Sequence, residues 1–405
     1  MVSRMRRRAF VRGLSILGAA SATGCCFGEG ARGASELPPP PPSPAPSMAE
    51  PAPARTAATP MPDWDPTRSV VLAVGVLRWA RADLYDAMET TERRDRALVD
   101  TWIARGVPRE RVTYLADAEA TLAGARAALA ASLATVRPDD TFLFYWAGHG
   151  DRTDSGAGYA VPYDAGDDST TSCLAYDEIV RAVEAVPMAR AMFFADTCYS
   201  GAIADAVLAR PGGPPRAGLG ASMASESSTG NWTFTDAVIA AFGGAANVDH
   251  DRDGVVTVSD LARFVEEEMA FADGQLAHVE ETEAFPLMLR LSPAEAAPCP
   301  RYGERIEVLQ EGTWWPATIT GEHDGQLDVH YDGYTEQWDA TVAASETRPY
   351  APVAYAPGTR ASVEWNGEWY PAEIREARRG VHLVHYDGFD DVWDEWVSRD
   401  RIRVG

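Results

Sequence analysis

The chain has 405 residues, 46% hydrophobic and 24% charged, with a formal net charge of −24. That length exceeds one ordinary domain, and the apolar content suffices for a real core. The acidic excess opposes nucleic acid and anionic membrane surfaces and favours basic substrates or cations as partners.

Residues 1–28 read as an export signal rather than as fold. MVSRMRRRAFVRGL is a basic head, SILGAASATG is a short apolar stretch, and Cys25 and Cys26 follow. The stretch is too short to remain as a spanning helix. Arg7-Arg8-Ala9-Phe10-Val11 resembles a twin-arginine signal, and Ala22-Thr23-Gly24-Cys25 resembles a lipoprotein box. Together they give a periplasmic or cell-surface location with a membrane tether through Cys25; a basic disordered N-terminus is the plainer alternative. Residues 29–68, rich in Pro, Ala and Ser, form a disordered, semi-rigid linker. Beyond them lie Cys173, Cys198 and Cys299, an odd number, so at least one thiol is unpaired. A Cys173–Cys299 bridge and three free thiols both remain open.

The folded chain begins at Ser69 with VVLAVGV, a β-branched run of the buried-strand kind. ERRDRALVDTWIARG has helical spacing and ends at Gly106. RVTYLAD is the second strand, and LAGARAALAASLATV a helix capped by Thr121. TFLFYWAGHG and AMFFADTCYSG are two further strands, separated by the helix-like AYDEIVRAVEAV. Residues AIADAVLARPGGPPRAGLG read as a linker, GASMASES as a strand and TFTDAVIAAFGG as a helix. AFPLMLRLS closes the sheet near residue 292. The alternation predicts an α/β domain over 69–295, a mostly parallel sheet flanked by helices.

The remainder is an internal repeat. GTWWPATI at Gly312 returns as GEWYPAEI at Gly367, and HYDGY at His330 returns as HYDGF at His385, all offset by 55 residues. Short alternating strands with Gly and Asp turns predict two small SH3-like β-barrels, over 301–350 and 356–405.

Two of the apolar runs end in reactive side chains between glycines, His149 in the first and Cys198 in the second. In a parallel sheet such carboxyl ends are where ligands bind. Cysteine attacks as thiolate, and a histidine within reach can take its proton and later protonate a leaving amine. Gly148, Gly150 and Gly201 permit tight turns that expose amide N–H groups toward an oxyanion.

YWAGHG and FADTCYSG resemble the His and Cys boxes of caspase and metacaspase peptidases. The resemblance spans about residues 69–292 and includes GYAVPYD after the His box. It implies a caspase-like fold and a cysteine endopeptidase with His149 as general base and acid and Cys198 as nucleophile. Gly150 and Cys198 would supply the oxyanion-hole N–H groups. Asp196, two residues before the nucleophile, matches the metacaspase-like members, in which that acid and another near the first helix hold a substrate Arg or Lys. Asp95 is the candidate partner. Two desolvated carboxylates suit a guanidinium, so cleavage after basic residues is expected. The family's habit of cutting the segment after the nucleophile makes Arg216 a candidate autoprocessing site.

DHDRDGVVTVSD matches a calcium loop at Asp249, Asp251, Asp253, Gly254 and Asp260, where alternating carboxylates converge on one cation. The competing reading is an acidic turn before a helix capped by Thr257, with Asp260 as its box partner. The repeats resemble Tudor and chromo-barrel modules, in which an aromatic cage holds methylated lysine by cation–π attraction. The cage candidates are Trp314, Tyr331, Tyr334 and Trp338 in the first copy, and Trp369, Tyr386, Phe389 and Trp393 in the second. The leading reading is an exported cysteine peptidase acting on basic protein or peptide substrates. The alternative is a silent scaffold, or a peptide- or envelope-binding protein, acting through the repeats.

Overall fold

A computed structural model describes residues 61–404 apart from 89–91, 154, 229, 333 and 335. The export signal, the Cys25 tether and the linker up to residue 60 lie outside the described residues. No helix among the described residues is long and apolar enough to cross a membrane.

The first domain is built on six strands: β1 Ser69–Gly75, β2 Val112–Ala116, β3 Thr141–Ala147, β4 Arg190–Asp196, β5 Arg216–Gly220 and β6 His278–Glu281. They lie in the order β6-β5-β4-β3-β1-β2, all parallel except β6, which runs antiparallel to β5. β1 and β3 are buried at every position, as expected of strands covered on both faces.

Six helices supply that cover: α1 Arg94–Ala104, α2 Leu122–Ala134, α3 Tyr176–Glu184, α4 Gly201–Leu208, α5 Thr233–Gly243 and α6 Val258–Ala272. Side-chain alternation along the strands sorts the core into two layers. Val71, Leu143, Tyr145 and Phe194 face α1, α5 and α6, where Trp102, Phe242 and Leu261 meet them. Val70, Phe142, Phe144 and Phe193 face α2, α3 and α4, with Leu129, Ile179 and Ile203. Thr121 caps α2 by accepting the Gly124 amide at 3.0 Å.

The sequence reading needs correction at four places. Residues 62–64, assigned to the linker, are part of the fold: Trp64 is buried, and its amide donates to the Arg290 carbonyl at 2.8 Å. AIADAVL is not linker but, with Gly201 before it, makes up α4, and six of the helix's eight positions pack inside. The next strand is Arg216–Gly220 rather than GASMASES. The sheet is closed by β6, whereas Arg290–Pro293 pairs separately with Val255–Thr257.

Each repeat forms a five-stranded antiparallel barrel. The first uses Arg305–Gln310, Thr313–His323, Gln326–His330, Ala340–Ala343 and Thr347–Pro349. The second uses Arg360–Trp365, Glu368–Arg378, Val381–Tyr386, Glu395–Ser398 and Ile402–Val404, in the same strand order. Even the bulge repeats, falling between Ile319 and Gly321 in one copy and Ile374 and Glu376 in the other. Both barrels seat on α6: Arg305 pairs with Glu267 (3.1 Å) and Glu268 (2.5 Å), and Arg379 with Glu266 (2.7 Å) and Glu267 (3.0 Å).

Candidate active site

β3 and β4 are neighbours in register, with Ala147 opposite Asp196. His149 and Cys198 each follow two residues beyond that rung. The chain leaves β3 through Gly148, at φ +140°, and the Gly148 amide donates to the Asp196 carbonyl at 3.2 Å. Gly150 is pressed onto the other loop so closely that a Cβ there would lie 1.9 Å from the Cys198 carbonyl oxygen. A side chain at 150 would drive the two loops apart.

His149 is held by the segment that follows β1. Its Nε2 is 2.9 Å from the Asp86 carbonyl. A carbonyl only accepts, so Nε2 carries the proton and Nδ1 is left as the acceptor. The Trp79 and Tyr85 rings flank the imidazole at centroid separations of 4.3 and 5.8 Å. Burial lowers the imidazole pKa, partly offset by the Asp86 carbonyl. The Cys198 thiol is pushed up by burial, with the Ser228 amide, the Ser227 hydroxyl and the Gly150 amide working against that rise. The Ser228 N–H donates to Sγ at 3.3 Å. Both directions favour the neutral forms, a thiol and an imidazole. Immediately after the cysteine, Tyr199 adopts φ +57°, uncommon for a bulky residue, and Arg152 stacks over its ring at 5.2 Å.

Asp196 lies at the end of β4, 8% exposed. Burial raises its pKa to about 7; the Thr235 hydroxyl opposes this, while the negative charges of Asp273 and Asp236 add to it. Thr235 Oγ1 donates to Asp196 Oδ2 at 2.5 Å and lies 2.6 Å from the Tyr145 hydroxyl. The single Thr235 proton is used on the carboxylate, so Tyr145 donates to Thr235. Arg94 pairs with Asp236, and Asn231 donates to Asp273 at 2.8 Å.

Asp95 does not join this group as an open carboxylate. It is 0% exposed and already bound by Arg93 through two bonds (3.1 and 2.7 Å), by the Tyr114 hydroxyl (2.8 Å) and by the Arg96 amide (2.9 Å). Arg93 also reaches Asp117 at 2.7 Å, and Asp117 accepts the Leu77 amide at 2.8 Å. The network ties down the start of the loop that carries Trp79, Tyr85 and Asp86. The acids beside Asp196 are Asp236 and Asp273, which sequence spacing did not single out because they come from α5 and from the end of α6.

Arg216 is likewise misplaced for autoprocessing. It is the first residue of β5 and 0% exposed, with its guanidinium donating to the Gly212 (2.7 Å) and Pro214 (3.1 Å) carbonyls. Its backbone amide donates to Thr282 Oγ1 at 2.9 Å. Extended binding in a peptidase cleft would require pulling this strand from the sheet. Cys173, Cys198 and Cys299 are all free thiols, so the structure contains no Cys173–Cys299 bridge.

Of the calcium-loop residues, Asp249, Asp251 and Asp253 bring carboxylate oxygens within 4.8 Å of one another. Asp260 does not join them. It accepts from the Thr257 amide (2.9 Å) and hydroxyl (2.6 Å) as the box partner of the α6 cap. The donor set fits a divalent cation through three carboxylates rather than four.

The aromatic candidates divide by face. Tyr331 and Tyr386 are core residues; the Tyr386 hydroxyl donates to Glu395 at 2.6 Å. Trp314 and Trp369 are covered by Arg348 and Arg403, at 4.1 and 3.6 Å from the ring centroids. What stands open in the second barrel is Phe389 and Trp393, 47% and 46% exposed with rings 6.3 Å apart, joined by Tyr370 at 6.5 Å from Phe389. Trp315, Tyr334 and Trp338 repeat that arrangement in the first barrel. Trp315 and Tyr370 were missed because each follows a more prominent tryptophan, and alternation alone does not say which face is covered.

The sheet order defines an α/β domain with a mostly parallel sheet, followed by two small antiparallel barrels. Comparison with known proteins agrees. Residues 112–281 match the caspase domain, 303–352 the Agenet domain, and 356–404 the Tudor-knot, described as the RNA binding activity-knot of a chromodomain. The chain thus carries a caspase domain followed by an Agenet and a Tudor-knot domain. Among solved structures, it is similar to protein GSU0716 from Geobacter sulfurreducens, at 14% identity and TM-score 0.41, over 56% of this chain and 100% of that one. It is also similar to tandem Agenet domains 3–4 of ADCP1 (16% identity, TM-score 0.13, 26% of this chain and 79% of that one). The AGD34 pair of Arabidopsis thaliana AGDP1 gives 15% identity and TM-score 0.14, over 26% and 81% of the respective chains. No curated protein matches the chain.

Proposed function

We propose that the chain is a cysteine endopeptidase that cuts after Arg or Lys through a dyad of His149 and Cys198. The observation that carries this reading is the shared rung: both side chains leave the sheet two residues past Ala147 and Asp196. Nδ1 of His149, left unprotonated by the bond to Asp86, takes the thiol proton as Sγ attacks the substrate carbonyl carbon. The Gly150 and Cys198 amides are the candidate donors to the oxyanion. The imidazolium then gives its proton to the leaving amine, and water hydrolyses the thioester by the same base.

Asp196 supports basic specificity, because a substrate guanidinium would offset the negative charge gathered at Asp196, Asp236 and Asp273, of which Arg94 already pairs with Asp236. Asp236 and Asp273 replace Asp95 as its companions in this proposal. Fluorogenic peptides ending in Arg, Lys or Asp test it, with faster cleavage after Asp contradicting it.

Three further parts belong to the same proposal. The open aromatic groups of the barrels would hold peptide ligands, with methylated ammonium groups the best chemical match. RNA is not proposed as a ligand, since acids outnumber basic residues in the Tudor-knot region as in the whole chain. Calcium would sit on Asp249, Asp251 and Asp253 beside α6, stabilising that turn; isothermal titration against the Asp251→Asn variant tests it. Export through residues 1–28, with lipidation at Cys25, is tested by fractionation and mass measurement of the mature N-terminus.

A further inference from the structure

Residues 221–228, which follow β5, lie against the cysteine loop. Ser222 Oγ donates to the Thr197 carbonyl at 3.2 Å, and its amide donates to Ser200 Oγ at 3.1 Å. The Tyr199 amide donates to the Glu226 carbonyl at 2.7 Å. Two residues on, the Ser228 amide points at Cys198 Sγ, and between them the Ser227 carbonyl accepts from Gln275 at 2.6 Å.

Glu226 is bonded from both ends. Its backbone carbonyl holds Tyr199, next to the thiol, while its carboxylate accepts the Trp396 amide from strand Glu395–Ser398 of the second barrel. The barrel edge is fixed there by packing. Met223 and Trp396 lie against Ala270, Leu276 and Val381. Ser398 abuts Gly274, where a Cβ would come within 2.5 Å of its own Cβ. A residue tied at backbone and side chain to two different bodies transmits the position of one to the other.

We propose that Glu226 is a positioning residue for the Cys198 loop, and that the second barrel is thereby a working part of the thiol site. This rests on Cys198 being the nucleophile. Without the anchor on Trp396, the segment is free to withdraw the Glu226 carbonyl from Tyr199 and the Ser228 amide from Sγ, and the thiolate loses its donor.

The test uses the full chain and its Glu226→Ala, Glu226→Gln and Arg379→Glu variants. Two readouts are taken: the rate at which iodoacetamide alkylates Cys198 at pH 7, followed by peptide mass mapping, and kcat and KM on an Arg-ending fluorogenic peptide. Glu226→Ala is expected to slow Cys198 alkylation about tenfold, the scale of one lost hydrogen bond to a charged group. It should lower kcat by a similar factor with KM little changed. Glu226→Gln keeps an acceptor for the Trp396 amide and is expected to restore both rates to within about twofold of wild type. Arg379→Glu loosens the barrel through Glu266 and Glu267, leaves residue 226 intact, and should slow alkylation in the same direction. It decides the matter if Glu226→Ala does not fold.

Alkylation of Cys173 and Cys299 at wild-type rates shows that the fold is kept. Wild-type or faster Cys198 alkylation in the loosened variants, or Gln behaving as Ala, overturns the proposal. If alkylation responds as expected but wild type cuts no peptide, the peptidase reading fails and the positioning role stands. If peptide is cut and alkylation does not respond, the reverse holds.

Discussion

His149 and Cys198 stand two residues past one rung of a parallel sheet, where Ala147 faces Asp196. Their placement at the ends of adjacent strands therefore depends on strand register rather than on a long flexible loop. Gly150, in van der Waals conflict with any side chain, keeps the loops together. Gly150→Ala should reduce peptide cleavage by a factor of about 100 or more while leaving most of the sheet intact, since a misplacement of about 1 Å can cost that much. Steady-state kinetics and far-UV circular dichroism check the two halves of this expectation.

Under the proposed specificity, Asp196 ties activity to pH. Its folded-state pKa of about 7 lies above the ordinary 3.8. The folded chain therefore holds a proton that the unfolded chain releases across that interval, and stability is lost as pH rises from about 4 to 7. Asp196→Asn should remove this loss and raise the unfolding temperature at pH 8 relative to wild type, with no gain at pH 4. For the same reason, kcat/KM on Arg peptides should climb as pH rises through about 7, and the Asn variant should lose most of that activity.

Arg93 supports the other side of the site. Removing it deprives the fully enclosed Asp95 carboxylate of its ion-pair partner, leaving only the Tyr114 hydroxyl and the Arg96 amide, and frees Asp117 from its ion pair. Arg93→Ala should cost about 3 kcal/mol in denaturant unfolding. It should also loosen the His149 clamp, because Asp117 holds the Leu77 amide.

Much of this was readable in the residues. TFLFYWAGHG and AMFFADTCYSG are apolar runs that stop at glycine, and that pattern located the two strands and the turns that carry His149 and Cys198. The 55-residue offset placed the barrels without ambiguity. What was not readable depends on tertiary partners. Asp95 lies within two residues of Arg93, and nothing in the spacing says that they bind each other. Arg216 follows GGPP, a composition typical of exposed linkers, but its guanidinium turns back onto the carbonyls of that same stretch and seals it. Trp369 looked like a cage wall until Arg403 was found stacked on it.

The burial of Arg216 gives a prediction of its own. Incubated alone, the intact chain should show no cleavage between Arg216 and Ala217 by mass spectrometry, and Arg216→Ala should reduce stability. A fragment ending at Arg216 would show that the strand opens in the native state.

In the barrels, Trp393→Ala removes an exposed ring and should weaken binding of a trimethyl-lysine peptide without lowering the melting temperature. Tyr386→Ala empties a core position and should cost about 3 kcal/mol. Fluorescence binding and thermal unfolding of the two variants separate the cage from the core.

The most direct test of the account is cleavage of an Arg-ending peptide by wild type and by Cys198→Ala, measured side by side on folded protein. The account predicts turnover by wild type and a loss of at least about a thousandfold in the variant. Equal rates in the two proteins, or no labelling of wild-type Cys198 by a thiol-directed Arg-peptide probe, would contradict it.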